Sequence, residues 1–159
     1  MANDPMEANT FLYIPDMTGF TEFMTTTAPE ESHRIVAEML KWITDANILG
    51  LSISDIIGDA VLFFKTGNAP SLKEVIHQSK VIFDGFHAKL RNNGVAYNRE
   101  SRKFECIHRL SIKFVAHYGE VAISNIEDHT SLIGTPVIEV NKLLKNSITA
   151  ENYLLVTEA

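Results

Sequence analysis

The chain has 159 residues, of which 45% are hydrophobic, 21% charged and 9% aromatic, and its net charge is −6 at pH 7. This size and composition are typical of one globular domain and exclude a disordered, collagen-like or disulfide-rich protein. The acidic balance disfavours a general nucleic-acid or anionic-membrane binder. The N-terminus lacks a signal-peptide pattern, no apolar run approaches about 18 residues, and one cysteine fits a reducing compartment. We therefore expect a cytoplasmic protein that binds neither nucleic acid nor membranes.

The first elements follow from short apolar runs. We expect a tail over residues 1–9 and a single domain over residues 10–159. The run Phe11–Ile14 is short, apolar and aromatic, which is typical of a buried strand. A short helix then ends near Thr27, which has Glu30 at the spacing of a capping box and so begins the next helix.

A hairpin is predicted after this second helix. Apolar residues recur at helical spacing until Gly50, where the helix is expected to end. Leu49–Ile53 alternates between apolar and small polar residues, and Ala60–Phe64 has the composition of a more buried strand. Gly58-Asp59, between the two patterns, is a hairpin turn signal.

The third helix has the clearest start signal in the chain. Ser71 precedes Glu74 at capping-box spacing, and the apolar periodicity continues to Asn92-Asn93-Gly94. Residues 92–107 are polar and rich in turn formers, so we interpret them as a long loop.

The last part of the chain predicts a second hairpin, a helix and a closing strand. Arg109–Ala116 alternates as a half-buried strand, and Tyr118-Gly119 is expected to turn it back into Val121–Ile123. A helix begins near Pro136, and Tyr153–Val156 closes the domain. The order β-α-α-β-β-α-β-β-α-β predicts an α+β fold with a mostly antiparallel sheet and helices packed on it.

Two carboxylates stand at predicted turns. Asp16 ends the first strand, and Asp59 lies in the first hairpin turn. Mg²⁺ is usually held by one or two protein carboxylates together with substrate phosphates. If the two turns meet at one end of the sheet, Asp16 and Asp59 would form such a site. Thr18, Gly19 and Phe20 follow at a helix start, where backbone N–H groups would bind a phosphate. Aspartate also bends turns without any ligand, so spacing alone leaves both interpretations open.

Four segments resemble the catalytic domain of the class III adenylyl/guanylyl cyclases. Phe11–Thr21 is similar to the first metal segment, Ile56–Val61 to the second, Ile112–Val121 to the strand ending in His-x-Gly-Glu-Val, and Ile133–Val137 to the start of the catalytic helix. The segments occur in the family's order. The chain is therefore identified as a member of a bacterial family within this superfamily. The resemblance implies a ferredoxin-like nucleotide cyclase fold and a homodimer, because cyclase sites are built between two subunits.

The resemblance also implies roles for particular residues. In the family, two aspartates hold Mg²⁺ or Mn²⁺ ions that bind the triphosphate, which assigns Asp16 and Asp59 to the metal. Asp55 and Ser131 stand at the two base-selecting positions. Adenylyl cyclases have Lys at the first and guanylyl cyclases have Glu, so Asp55 favours GTP over ATP. His117, at the family's strand-end histidine, is expected to form a hydrogen bond across the hairpin.

The catalytic helix departs from the family pattern. Ile138 and Lys142 occupy the positions of the family's Asn and Arg, and Lys145, one turn along, is a candidate substitute. Isoleucine has no hydrogen-bonding group, and lysine lacks the planar fork of arginine. Losing one such transition-state donor costs about 10²–10³ in rate. We therefore expect a catalytically degenerate domain that binds a divalent ion with a nucleotide phosphate or acts as a regulatory dimerisation module. The alternatives are an active purine nucleotide cyclase that favours GTP and a purely structural dimerisation scaffold.

Overall fold

The computed structural model describes residues 4–94 and 102–157, without the side chains of residues 102–104. The elements in chain order are β1 (Met6–Thr18), α1 (Phe20–Thr26), α2 (Pro29–Asp45), β2 (Ser52–Ile57), β3 (Ala60–Thr66), α3 (Leu72–Gly94), α4 (Arg102–Arg109), β4 (Ser111–Ile126), β5 (His129–Ile133), α5 (Thr135–Leu143) and β6 (Leu154–Val156). The predicted α+β class with a mostly antiparallel sheet is confirmed. In these ranges no helix combines the length and apolarity needed to cross a bilayer.

β1 is the central strand of the sheet. The strand order is β2-β3-β1-β4-β5, all antiparallel, and β6 adds to β4 in parallel. Both faces of β1 are covered. Phe11 and Tyr13 pack towards α1–α4, whereas Leu12 and Ile14 pack towards α5 with Val140. The run Phe11–Ile14 is therefore apolar without alternation because successive side chains enter two different cores.

The sheet curls so that its two edges approach each other. β2 and β5 stand at opposite ends of the strand order, yet the Ser54 hydroxyl donates a hydrogen bond to the Thr130 carbonyl oxygen at 3.2 Å. Val140 of α5 packs on the face of the sheet that carries Leu12 and Val115, and Asn141 of the same helix lines a pocket with Asp16 near the end of β1.

β1 and β4 are longer than the sequence predicts. β1 begins at Met6, so residues 6–9, which we assigned to a tail, pair with β4. The predicted turn at Tyr118-Gly119 is wrong, because β4 continues through both residues and turns only after Ile126. Gly119 serves packing instead: a Cβ there would lie 2.6 Å from the Pro136 ring of α5.

Two predicted capping boxes have different outcomes. Ser71 and Glu74 form the reciprocal pair, with the Ser71 N–H donating to the Glu74 carboxylate at 2.7 Å and the Glu74 N–H donating to the Ser71 hydroxyl at 3.3 Å. The box predicted at Thr27 and Glu30 is wrong. Ala28 is the N-cap, and the Thr27 hydroxyl is buried without a hydrogen-bond partner among the described residues.

Two loop boundaries also differ from the prediction. α2 ends at Asp45 rather than at Gly50, and the strand expected at Leu49–Ile53 is β2, which runs from Ser52 to Ile57. The Asn47 side chain takes the place of a neighbouring strand at Leu51, because it forms hydrogen bonds with both the N–H and the carbonyl of that residue.

The loop predicted over residues 92–107 is wrong where the structure describes it. α3 continues to Gly94, and α4 begins at Arg102. Cys106 and Ile107 of α4 are buried against the main core, so this largely polar segment forms an amphipathic helix. Residues 95–101 of the predicted loop lie outside the described residues.

Candidate metal and phosphate site

The structure brings Asp16 and Asp59 to the same end of the sheet. Asp16 pairs with Ala60 in the β1–β3 register, and the Met17 N–H donates a hydrogen bond to the Asp59 carbonyl oxygen at 3.1 Å. Both carboxyl side chains line a cavity of about 200 Å³, together with Asn141 of α5. The strand end and the hairpin turn therefore form one acidic pocket.

Burial raises the pKa of both carboxyl groups. Burial raises the pKa of Asp16 to about 6, the nearby charge of Asp59 adds to this effect, and Lys113 opposes it. Burial also raises the pKa of Asp59, against an opposing backbone hydrogen bond and Lys113. Since the ionised forms are disfavoured in the folded protein, additional positive charge in this pocket would stabilise them.

Lys113 belongs to the site, although no motif in the sequence connects it with Asp16. It lies directly opposite Asp16 in the β1–β4 register, and its Nζ is 3.4 Å from the Asp16 carboxylate. The same ammonium donates a hydrogen bond to the Leu144 carbonyl oxygen at 3.0 Å. The alternation of apolar and polar residues along β4 identifies Lys113 only as a polar position. Its partner, Asp16, follows from the β1–β4 register.

A groove of about 650 Å³ opens from Asp16 along α5. Its polar lining consists of Asp16, Lys113, Asn141, Lys142 and Lys145. Three lysines therefore accompany one carboxylate, and in the described part of the chain neither Lys142 nor Lys145 forms an ion pair. Asn141 was also missed by the sequence analysis, although it lines both the groove and the acidic pocket. The excess of ammonium groups suits an anion bound beside the carboxylates.

The residues predicted to cradle a phosphate have partners within the fold. The Thr18 hydroxyl donates a hydrogen bond to the Glu151 carbonyl oxygen at 3.1 Å, and Phe20 packs on the main core. Gly19 has φ 77°, and a Cβ there would lie 3.0 Å from the Arg109 carbonyl oxygen. A close backbone approach accounts for the glycine without any ligand.

The two base-selecting candidates lie on the strands that approach each other. Asp55 is exposed on β2, and its carboxylate accepts a hydrogen bond from the Ile56 N–H at 2.9 Å. Ser131 lies on β5 and pairs with Ser124. Neither residue lines the acidic pocket or the groove, as far as the described chain shows.

His117 connects three elements next to the groove. One ring nitrogen lies 2.7 Å from the Thr157 hydroxyl, and the other lies 2.9 Å from the Glu139 carboxylate of α5. Within the described residues, His117 therefore bonds to α5 and to the segment after β6 rather than across a hairpin as expected. Lys142 and Lys145 line the adjoining cavity of about 410 Å³, which extends the basic surface past this histidine.

The donor set fits a hard divalent cation only in part. Among residues 4–94 and 102–157, no group of three or more His, Cys, Asp or Glu side chains is arranged to hold an ion. Asp16 and Asp59 supply two carboxylates, which is the protein share that Mg²⁺ commonly uses when water and phosphate oxygens complete its shell. The arrangement therefore fits a cation bound together with a phosphate better than a cation bound alone.

Comparisons of the sequence give two matches. The family model described as "Protein of unknown function (DUF2652)" matches residues 36–153. An uncharacterized protein of Mycobacterium tuberculosis (strain ATCC 25618 / H37Rv), Rv2561/Rv2562, is 30% identical over 123 residues, which are 77% of this chain. The aligned region spans 57% of the length of that relative.

Solved structures of nucleotide cyclases are similar to the whole fold. The adenylyl cyclase CyaB from P. aeruginosa has a TM-score of 0.77 at 14% identity, covering 98% of this chain and 80% of that one. The guanylyl cyclase Cya2 has a TM-score of 0.62 at 19% identity, covering 88% and 71%. The guanylate cyclase domain of RhGC from Catenaria anguillulae, in complex with GTP, has a TM-score of 0.59 at 18% identity, covering 86% and 72%. The predicted resemblance and the cyclase-like fold are thereby confirmed.

Proposed function

The chain belongs to the family described as "Protein of unknown function (DUF2652)" and has the fold of a nucleotide cyclase domain, and from this we propose that it is a catalytically degenerate cyclase-like domain. In this proposal it binds a divalent cation, Mg²⁺ or Mn²⁺, together with a nucleotide or another phosphate ligand. The observation that carries the proposal is the convergence of Asp16 and Asp59 beside a groove lined by lysines.

Asp16 and Asp59 would hold the cation. A bound divalent ion supplies positive charge that stabilises both ionised carboxylates and attracts phosphate oxygens. Lys142 and Lys145 lie on the same groove and would contact the remaining phosphate oxygens. The chain's overall charge of −6 opposes the approach of anions, so the attraction for a phosphate would come from the lysines of this groove.

The composition of α5 supports the loss of turnover. Ile138 is 56% exposed and lines the groove where a catalytic domain would need a hydrogen-bonding group. Lys142 offers a point charge rather than a bidentate donor. Binding of the phosphate would survive both changes, whereas stabilisation of a transition state would not.

GTP is the first nucleotide to test. Asp55 is exposed, and its second carboxylate oxygen would accept a hydrogen bond from guanine but not from the unprotonated N1 of adenine.

A homodimer is part of the proposal. Exposed isoleucines border the site on two elements: Ile56 and Ile57 on β2 are 48% and 63% exposed, and Ile138 on α5 is 56% exposed. Ile57 also lines the acidic pocket with Asn141 of α5, so the two groups are neighbours. A second copy of the chain would cover this apolar surface and bring Asp55 of one protomer towards the pocket of its partner.

Calorimetry tests the proposal. We expect heat of binding for GTP with Mg²⁺ or Mn²⁺, and a loss of affinity of about tenfold or more in Asp16→Ala and in Asp59→Ala. Asp45→Ala, an exposed acid on α2, is the matched control and should bind as the wild type does. Equal affinities in all four proteins would refute the proposal.

A product assay separates the alternative activities. We expect neither cyclic GMP nor cyclic AMP from the wild-type protein. Cyclic GMP formation that Asp59→Ala abolishes would establish the active cyclase instead. Dimerisation without any effect of metal or nucleotide on the melting temperature would favour the structural scaffold.

A further inference from the structure

We propose that Lys113 is an internal counter-ion of Asp16 that competes with the divalent cation and that transfers to the phosphate when the ligand binds. The inference rests on the proposed function, because it concerns the regulation of the same site. It assigns a role to a residue that no motif in the sequence singles out.

The position of Lys113 is fixed by the sheet. Asp16 and Lys113 are direct cross-strand partners in the β1–β4 pair, so their side chains leave the sheet on the same face. The Lys113 ammonium is 3.4 Å from the Asp16 carboxylate and donates to the Leu144 carbonyl oxygen at 3.0 Å. Both side chains are largely buried, with 18% of Lys113 and 15% of Asp16 exposed. Water therefore screens this pair less than it would screen an ion pair on the surface.

This placement disfavours a cation that arrives alone. An ion bound to Asp16 would meet a positive charge already held against the same carboxylate. One ammonium balances only one of the two negative charges in the pocket, because Asp16 and Asp59 both line it. The charge of the acidic pocket is therefore partly neutralised before any ligand binds, and a divalent ion has to compete with Lys113 for Asp16.

The groove provides a second position for the ammonium. Lys113 lines it together with Lys142 and Lys145, so a phosphate bound there would lie within reach of all three side chains. Lysine has a flexible four-carbon stem and can exchange a carboxylate for a phosphate oxygen without movement of the backbone. Release of Asp16 would then favour the cation, so that phosphate and cation promote each other's binding.

Two probes used separately test the inference and avoid chelation of one by the other. Calorimetry with Mn²⁺ alone and with tripolyphosphate alone is carried out on the wild type, Lys113→Met, Lys113→Gln and Lys113→Arg. Both neutral variants should bind Mn²⁺ about tenfold or more tightly than the wild type and bind tripolyphosphate about tenfold more weakly. Lys113→Arg keeps the charge and should resemble the wild type.

The controls separate this inference from the proposed function. Lys41→Met removes a lysine that is paired with Asp45 on the surface of α2, and it should bind both probes as the wild type does. The melting temperature identifies any variant that is not folded, and Lys113→Gln retains a donor for the Leu144 carbonyl if Lys113→Met is unstable. Equal Mn²⁺ affinity in the wild type and both neutral variants would overturn the inference and leave the proposed function standing. Failure of Mn²⁺ to bind either folded neutral variant would also overturn the inference, whereas the proposed function is contradicted only if GTP together with Mn²⁺ fails to bind the wild type.

Discussion

Asp16 and Lys113 face each other across β1 and β4, and their charged groups meet at 3.4 Å beneath the end of α5. The contact joins the two strands to the helix, because Lys113 also binds the Leu144 carbonyl oxygen just beyond α5. Electrostatics and packing are therefore linked at this point. A change in the charge of Asp16 will alter both the stability of the fold and the affinity of the site.

The raised pKa of Asp16 predicts a specific pH dependence of stability. The pKa of Asp16 is about 6 in the folded protein, whereas the unfolded chain releases the proton near the ordinary aspartate pKa of 3.8. The stability that the protonated form contributes is fully present below pH 3.8 and is lost as the pH rises to about 6. Asp16→Asn mimics the protonated form and should be close to the wild type near pH 4 and more stable, by on the order of 2 kcal/mol, above about pH 7.

Urea unfolding in a chelating buffer at several pH values measures this difference. Asp45→Asn, at an exposed position on α2, is the matched control and should change stability little. A stability difference between Asp16→Asn and the wild type that stays constant from pH 4 to about pH 7 would contradict the assigned pKa shift.

The packing of α2 on α3 depends on Gly85. A Cβ at this position would overlap the indole ring of Trp42, whose Nε1–H donates a hydrogen bond to the Ile82 carbonyl oxygen at 3.0 Å. Gly85→Ala should therefore lower the free energy of unfolding by about 2 kcal/mol, although alanine is the better helix former.

A double-mutant cycle identifies the cause. Trp42→Phe removes the ring that the new methyl group would meet, so Gly85→Ala should cost clearly less in that background. Thermal or urea unfolding of the four proteins gives the coupling free energy. An equal cost of Gly85→Ala in both backgrounds would show that the helices do not meet in the way described.

Gly19 distinguishes a structural role from a phosphate-binding role. It has φ 77°, and a Cβ would press on the Arg109 backbone, whereas Gly50 has φ 63° with no atom within 4 Å of its Cβ position. Gly50→Ala should cost about 1 kcal/mol from backbone strain alone, and Gly19→Ala should cost about 1 kcal/mol more.

The second part of the Gly19 test compares the tripolyphosphate affinity of folded Gly19→Ala with that of the wild type. If the glycine serves only the backbone approach, the affinity should match that of Gly50→Ala and of the wild type. A large loss of affinity with unchanged stability would assign Gly19 to the ligand.

The apolar border of the site predicts the dimer surface. Ile57 is 63% exposed beside the acidic pocket, and Ile48 is 51% exposed in the connection between α2 and β2. Ile57→Glu should weaken the homodimer by at least about tenfold, because a charge would be buried at the interface, whereas Ile48→Glu should not. Sedimentation at micromolar concentration measures both, and a wild-type monomer under these conditions would contradict the proposed dimer.

Local signals predicted the fold correctly where no distant contact competes with them. The exposed start of α3 follows the Ser71 and Glu74 pattern, and the Gly58-Asp59 turn joins β2 to β3 as expected. The Thr27 pattern has the same form and was wrong, because Thr27 is buried between helices and Ala28 takes the N-cap. Tertiary packing therefore decides between local patterns that look alike.

Only the residues of the site that lie in recognisable sequence motifs could be predicted. The acidic pocket formed by Asp16 and Asp59 follows from a strand end and a hairpin turn that can be recognised in sequence. Lys113 and Asn141 could not be found in this way, because the β1–β4 register and the placement of α5 bring them to the pocket. Gly119 was misinterpreted for a related reason, since its contact with Pro136 is distant in sequence and leaves no turn signature.

The most direct test is a crystal of the protein soaked with Mn²⁺ and GTP, measured for the anomalous scattering of manganese. The account predicts a manganese peak within ligand distance of the Asp16 and Asp59 carboxylates, with phosphate density in the groove beside Lys142 and Lys145. A nucleotide and manganese bound elsewhere, with the Asp16–Lys113 contact unchanged, would contradict it.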